Sequence, residues 1–176
     1  MAMQRGGPGT AAEAVALARS RYLDDGHEFG CAEAAFVVLK TVYDLDDPSD
    51  PAAAAAFNGG FAYSGGLCGA MTGAALAVGM LAERRMADHA SAKRVARELV
   101  AATLDDFRRE HGAVDCRDLI GYDLRAPGGH EAFLASGTWR DGCMGQIEWV
   151  VARLALLADE GAWARALSDV GLAPAE

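Results

Sequence analysis

Residues 30–45 read GCAEAAFVVLKTVYDL, and this stretch indicates the fold class. Its apolar side chains recur at steps of three and four residues, so they share one face of an α-helix that packs against a core. The acidic, proline-containing run DDPSDP follows at residues 46–51 and is typical of a helix end. We therefore predict a helix over residues 30–45, with Cys31 in its first turn.

Similar helical patterns flank this stretch, and no segment has the alternation of apolar and polar residues that is typical of a strand. The predicted helices cover residues 11–25, 30–45, 51–57, 67–85, 88–110, 116–120, 131–135 and 141–160, with a weaker amphipathic segment at 162–167. We predict an all-α protein, a compact bundle of five to seven helices. Residues 1–9 are expected to form a flexible tail, and residues 10–176 a single helical domain.

Several helix ends have recognisable signals. Thr10 with Glu13 is a capping-box pattern at the start of the first helix. Asp115 and Asp141 are expected to cap the helices that follow them, and Gly161 is expected to end the last long helix.

Small residues four apart line one side of the predicted helix at 67–85: Gly69, Gly73 and Ala77. A glycine inside a helix costs roughly 1 kcal/mol relative to alanine, so this pattern favours close packing over helix propensity. The close contact lies either within the chain or across a dimer interface. We predict a homodimer.

Composition excludes several classes of partner and location. The formal net charge of −9 argues against nucleic acid or an anionic membrane as the main partner. The most apolar stretch, residues 67–82, is short for a membrane span, and the first residues lack a signal-peptide pattern. We expect a cytoplasmic protein, in which stable structural disulfides are uncommon.

The four cysteines therefore need another explanation. Each lies at or within two residues of a predicted helix start: Cys31, Cys68, Cys116 and Cys143. The free N–H groups and partial positive charge of a helix start favour thiolate, which attacks disulfides and ligates metals and iron–sulfur clusters. We expect the four thiols to converge on one redox or metal site, with Gly69 beside the cofactor.

Other interpretations of these residues stay open. No C-x-x-C spacing occurs, so thioredoxin-type, zinc-ribbon and haem-attachment motifs are excluded, and buried cysteine is often just a small apolar core residue. His27 could act as a ligand or base, although a solvated loop histidine is more common. His89, His111 and His130 are expected to be solvated. Glu33 could accept a thiol proton, although such a residue more often complements the helix dipole.

Four pieces of the chain carry a resemblance to a known family. They are GCAEAA at 30–35, GGLCGAMTGA at 65–74, EHGAVDCRDLIGYD at 110–123 and GC at 142–143. With these pieces in order, the chain resembles the redox-active protein family named for its cysteine signature, C_GCAxxG_C_C. Around Cys68 it reads GLCGA rather than a literal GCA.

This resemblance implies a helical domain whose four cysteines gather at one site. A similar domain accompanies haem in split-Soret-type cytochromes, where an iron–sulfur centre is associated with it. We therefore predict an iron–sulfur cluster on the four cysteines, used for electron transfer or sensing with an unidentified redox partner. The alternatives are a cofactor-free dithiol/disulfide protein, a structural zinc site of four thiolates, and a helical protein without such a site. Either an oxidoreductase or an electron-transfer component fits.

Overall fold

The regular structure of the chain is helical throughout the part that the computed structural model describes, residues 9–24, 26 and 28–172. The α-helices are α1 Ala11–Tyr22, α2 Cys31–Val42, α3 Gly69–Arg85, α4 His89–His111, α5 Cys116–Ile120, α6 Gly129–Ser136, α7 Met144–Ala155 and α8 Glu160–Asp169. Two 3-10 helices cover Ala52–Phe57 and Leu156–Ala158, and a π-helical turn covers Trp139–Cys143. The all-α prediction is confirmed, although eight α-helices exceed the predicted five to seven. Most of the predicted tail, and His27, lie outside the described residues.

The helix starts largely follow the sequence signals. The Glu13 backbone N–H donates to Thr10 Oγ1 (3.2 Å), and Glu13 Oε2 accepts from the Thr10 backbone N–H (3.0 Å), so the capping box is confirmed. Helix α2 begins at Cys31 as predicted but ends at Val42 rather than at residue 45. Its early end coincides with the left-handed backbone of Asp44, whose φ of 53° cannot continue a right-handed helix.

The C-terminal part departs most from the prediction. A π-helical turn leads directly into α7, so Asp141 lies inside helical backbone and is not a cap. Asp159 ends this run, because its extended backbone and its side chain, which accepts from the Ala162 N–H (2.8 Å), start α8. Gly161 therefore lies in the first turn of α8 and does not end the preceding helix.

Helices α2 and α3 pack backbone to backbone at the centre of the protein. A methyl group added at Gly73 would lie 2.0 Å from the Ala32 carbonyl oxygen, and one added at Gly69 would lie 2.4 Å from Cys31 Sγ. The small-residue face is therefore covered by α2 within the same chain. The homodimer stays a prediction, but this face no longer supports it.

The remaining helices surround this pair. Helix α7 packs against α1 and α2, and α4 packs against α3. The Tyr43 hydroxyl donates to the Leu154 carbonyl oxygen (2.8 Å), which joins the end of α2 to the end of α7. None of the helices in the described ranges combines the length and the apolar character that crossing a membrane requires.

Candidate functional site

The four cysteines occupy three kinds of backbone position. Cys31 and Cys116 are the first residues of α2 and α5, and Cys68 is the residue just before α3. Cys143 ends the π-helical turn with helical backbone on both sides (φ −65°, ψ −37°). The prediction of a helix start is therefore confirmed for three cysteines and wrong for Cys143, because the helical backbone continues upstream of it.

Backbone hydrogen bonds hold the Cys68 and Cys116 segments side by side. The Cys68 N–H donates to the Val114 carbonyl (2.8 Å), and the Cys116 N–H donates to the Gly66 carbonyl (2.6 Å). These bonds flank a single antiparallel bridge between Leu67 and Asp115. Two cysteines that are distant in sequence are thus fixed next to each other by main-chain atoms.

Three of the cysteines, Cys31, Cys116 and Cys143, line one cavity of about 570 Å³. Cys68 is not part of the cavity lining and is buried, with 3% of its surface exposed. Its thiol lies 3.5 Å from Gln146 Oε1, to which it donates a hydrogen bond. The structure therefore brings three predicted ligands to a common cavity, and the bridge places the fourth beside Cys116.

Burial, not the helix start, dominates the acidity of these thiols. It raises the pKa of Cys31, despite backbone N–H groups that lower it, and raises that of Cys68 well above the ordinary value. Burial, followed by the nearby charge of Cys31, raises the pKa of Cys116 and of Cys143 to about 12 each. The expectation that the helix starts favour thiolate is therefore wrong for the protein without a cation, since desolvation outweighs the backbone donors.

Asn58 fixes the Cys31 end of α2. Its Oδ1 accepts a hydrogen bond from the Ala32 N–H (2.9 Å) and lies 3.9 Å from Cys31 Sγ. Its Nδ2 donates to Glu33 Oε2 (2.8 Å), which also accepts from the Gly30 N–H (2.8 Å). Glu33 thus orders the helix start and hydrogen-bonds to none of the four thiols, although its charge helps to raise the pKa of Cys31. Sequence reasoning missed Asn58, whose only signal is its place at the head of a glycine-rich loop.

A left-handed turn follows Asn58 directly. All five residues from Gly59 to Tyr63 have positive φ, including the three non-glycine residues Phe61 (71°), Ala62 (50°) and Tyr63 (62°). The Arg125 guanidinium donates twice to the Ala62 carbonyl, at 2.7 and 3.1 Å, and braces the turn. L-residues avoid this region at roughly 1–2 kcal/mol each, so the turn stores strain beside the cavity.

Tyr22 connects the aromatic wall of the cavity to a cysteine. Its hydroxyl hydrogen-bonds to Cys143 and lowers the thiol pKa, an effect smaller than the opposing effect of burial. Its ring packs edge-on against Trp139, with 6.2 Å between the ring centroids. Burial also raises the pKa of Tyr22, so this phenol stays protonated and acts as a donor.

Residues 29–156 match the model of the family described as "Putative redox-active protein (C_GCAxxG_C_C)". The chain belongs to this family. The matched range contains all four cysteines of the chain. No curated protein and no solved structure matches the chain.

The histidines differ in their surroundings. His89 is exposed and pairs with Glu83, as expected for a solvated side chain. His111 stacks on Phe107 with 4.3 Å between ring centroids, and its buried Nε2 has no partner among the described residues. His130 lines the cavity. The expectation of a solvated side chain is therefore wrong for His111, whose Nε2 is buried among aromatic rings, whereas the partly exposed His130 does not contradict it.

The cysteine sulfurs are donors of the kind that thiophilic metals prefer. The cysteines offer four sulfur atoms, with backbone N–H groups near Cys31 and Cys68, and thiolate is the ligand type that iron–sulfur clusters use. As arranged, no group of three or more His, Cys, Asp or Glu within the described ranges meets the geometry for holding a metal ion.

Proposed function

We propose that this protein transfers or senses electrons through an iron–sulfur cluster ligated by Cys31, Cys68, Cys116 and Cys143. The observation that carries the proposal is the meeting of cysteines from separate segments at one cavity. Three of them line it, and the fourth is held beside Cys116 by backbone hydrogen bonds. Membership in a family described as redox-active supports the same conclusion.

The raised thiol pKa values favour ligation over nucleophilic chemistry. Reactive cysteines lie in electropositive, partly exposed surroundings, whereas here burial raises the pKa of Cys116 and Cys143 to about 12 each. A bound metal compensates the charge that burial penalises, so metal binding deprotonates such thiols and releases their protons. Three buried thiols and the partly buried Cys31 therefore suit a cationic occupant better than they suit four uncompensated thiolates.

The chain also provides groups that would adjust a cluster's reduction potential. Backbone N–H groups near the Cys31 and Cys68 sulfurs stabilise negative charge there. The Tyr22 hydroxyl hydrogen-bonds to Cys143. Hydrogen bonds to cluster sulfurs raise the potential, and a cluster when bound supplies one-electron redox chemistry.

A cofactor-free dithiol/disulfide protein is the second candidate, and the exposure of Cys31 favours it. Cys31 is partly exposed whereas the other three cysteines are buried, and its charge raises the pKa of each of those three thiols. In this case oxidation joins two sulfurs in a disulfide and passes two electrons and two protons to an acceptor.

Anaerobic purification followed by iron, sulfide and zinc analysis tests the proposal. We expect a brown protein with visible absorbance and stoichiometric iron and sulfide. We expect Cys68→Ser to lose most of the iron, while His89→Gln, at an exposed histidine, keeps it. Colourless, metal-free protein with reversibly titrating thiols would support the dithiol candidate, and colourless protein with stoichiometric zinc would support a structural site.

A further inference from the structure

The cavity beside the cysteines has the size and the wall of a small-molecule site. Its volume of about 570 Å³ lies within the range of roughly 300–1,000 Å³ that is typical of ligand pockets. Apart from the cysteines, most of its wall is aromatic or aliphatic: Tyr22, Phe29, Tyr63, Ile120, Leu124, Phe133, Leu134 and Trp139. A flat, mostly apolar molecule fits such a wall, because aromatic rings stack on or pack edge-on against one another.

The charges of the wall exclude anionic ligands. No lysine or arginine occurs among the described lining residues, whereas two carboxylates, Glu28 and Glu33, do. Phosphate-bearing cofactors need cationic side chains or helix starts with free N–H groups, and the start of α2 is already occupied by Asn58 and Glu33. Glu33 Oε2 accepts from two donors, which ties this carboxylate to the start of α2, and Glu28 is exposed to solvent, so we take a neutral ligand as the best fit.

Two polar groups of the wall are free to orient such a ligand. Tyr63 and His130 pack against each other with 5.4 Å between ring centroids. Neither the Tyr63 hydroxyl nor a ring nitrogen of His130 hydrogen-bonds to any residue that the structure describes. Both groups can donate to a carbonyl oxygen of a ligand.

The backbone strain of the left-handed turn supports the same site. Tyr63 is the last of the five residues with positive φ, and the turn places it in the wall of the cavity while 46% of its surface stays exposed. Strain of this kind persists where the surrounding structure enforces it, and it clusters at ligand-binding and active sites. The strained turn thus delivers an unpaired hydroxyl to the cavity.

From these observations we infer that the cavity binds a neutral, flat, aromatic electron carrier of the quinone class next to the cysteines. We infer the shape and charge of the ligand from the cavity, and the inference that it carries electrons rests on the proposed function. Either of the two free donors, Tyr63 or His130, can donate a hydrogen bond to a carbonyl oxygen of a quinone. The apolar side chains of the cavity wall would surround the quinone ring.

Calorimetric titration of the anaerobically purified protein with duroquinone tests the inference. Duroquinone is fully substituted, so it is a poor target for covalent addition of thiols. Flavin mononucleotide, a flat redox molecule with a phosphate group, is the charged comparison. Leu134→Trp narrows the cavity, and Leu156→Trp is the matched control because Leu134 and Leu156 are similarly exposed, at 48% and 54%, and Leu156 is not in the cavity wall.

We expect duroquinone to bind and Leu134→Trp to weaken its binding at least about tenfold, with Leu156→Trp unchanged. Tyr63→Phe, which keeps the ring, should weaken binding by about three- to tenfold through loss of one hydrogen bond. Tyr63→Phe also tests the inference if circular dichroism shows that Leu134→Trp does not fold. Absence of heat at the solubility limit, equal effects of the two tryptophan variants, or equally tight binding of flavin mononucleotide overturns the inference.

Iron and sulfide analysis of the same samples separates this inference from the proposed function. If iron-loaded protein does not bind duroquinone, the quinone site is overturned and the cluster proposal is unaffected. Metal-free protein that binds duroquinone, with the expected loss in Leu134→Trp, supports the site and overturns the cluster proposal.

Discussion

Asn58 Oδ1 lies 2.9 Å from the backbone nitrogen of Ala32, so the loop after the first 3-10 helix caps the helix that begins at Cys31. Gly30, at the N-cap position, has no side chain to do this. A methyl group at Gly30 would lie 2.3 Å from that same Asn58 oxygen. The missing side chain at residue 30 is therefore what allows Asn58 to reach the helix start.

We expect Asn58→Ala to destabilise the protein and to disturb the cysteine site. Loss of a helix cap costs about 1 kcal/mol of unfolding free energy, and the Glu33 carboxylate loses a donor as well. Asp159→Ala removes an ordinary cap from α8 and is the matched control. Urea unfolding should show a loss of about 1 kcal/mol for Asp159→Ala and a larger loss for Asn58→Ala, and only Asn58→Ala should lower the iron content. Equal iron content in the two variants would contradict the role of Asn58.

Gly73→Ala should be strongly destabilising, and Gly79→Ala, in the same helix, should not. The added methyl group at Gly73 would lie 2.0 Å from the Ala32 oxygen, so α2 and α3 must separate, at a cost of about 1–3 kcal/mol or more. At Gly79 nothing lies within 4 Å, so helix propensity should add about 0.5–1 kcal/mol of stability. Thermal unfolding of both variants measures the difference. An unchanged stability of Gly73→Ala would rule out the close contact between Gly73 and the Ala32 backbone.

Alkylation of the reduced, metal-free protein should be slow. Thiolate is the reacting species, and burial raises the pKa of Cys116 and Cys143 to about 12 each. At pH 8 we expect iodoacetamide to modify the folded protein at least about tenfold more slowly than the urea-unfolded protein. Mass spectrometry of quenched time points follows each cysteine. Comparable rates for folded and unfolded protein would show that these thiols are not desolvated.

Tyr22→Phe should lower the reduction potential of the cysteine site. The variant keeps the ring beside Trp139 but removes the hydroxyl that hydrogen-bonds to Cys143, and such bonds stabilise the reduced, more negative form. Tyr43→Phe is the control, because its hydroxyl bonds to the Leu154 carbonyl instead. Anaerobic redox titration should place Tyr22→Phe below both wild type and Tyr43→Phe. An unchanged potential would argue against the Tyr22 hydrogen bond.

His111 should contribute to destabilisation by acid. Burial lowers its pKa in the folded protein, so below about pH 6.5 the unfolded chain takes up a proton that the folded chain resists. Stability should therefore fall as the pH drops from 7.5 to 5.5, and His111→Phe should flatten this dependence. The effect should stay under about 1 kcal/mol, because the ring is partly exposed and screened. Urea unfolding at each pH measures the dependence, and an unchanged slope in His111→Phe would contradict the role of His111.

The helices were predictable where their signals are local. The periodicity of residues 30–45 and the capping box at Thr10 and Glu13 act within a few residues, and both appear in the structure. The end of α7 was not predictable in this way, because Asp159 reads equally well as part of a long helix. Its extended backbone (φ −74°, ψ 132°) makes it the start of the next helix instead.

The cysteine positions were easier to predict than their chemistry. Sequence pattern placed Cys31 and Cys116 at helix starts, but thiol acidity depends on burial, which arises only when distant segments pack. Asn58 was missed for a related reason, since its partner Ala32 lies 26 residues away in the chain. The left-handed backbone of Phe61 could not be foreseen, because non-glycine residues rarely adopt it.

Direct contact of Gly73 with the Ala32 main chain also has an evolutionary consequence. The spacing between the cysteine-bearing starts of α2 and α3 is set by atoms that every amino acid shares, provided that position 73 carries no side chain. Outward-facing positions of both helices can therefore drift in sequence while the sulfur geometry is inherited unchanged. One additional carbon at position 73 would alter that geometry more than many substitutions elsewhere.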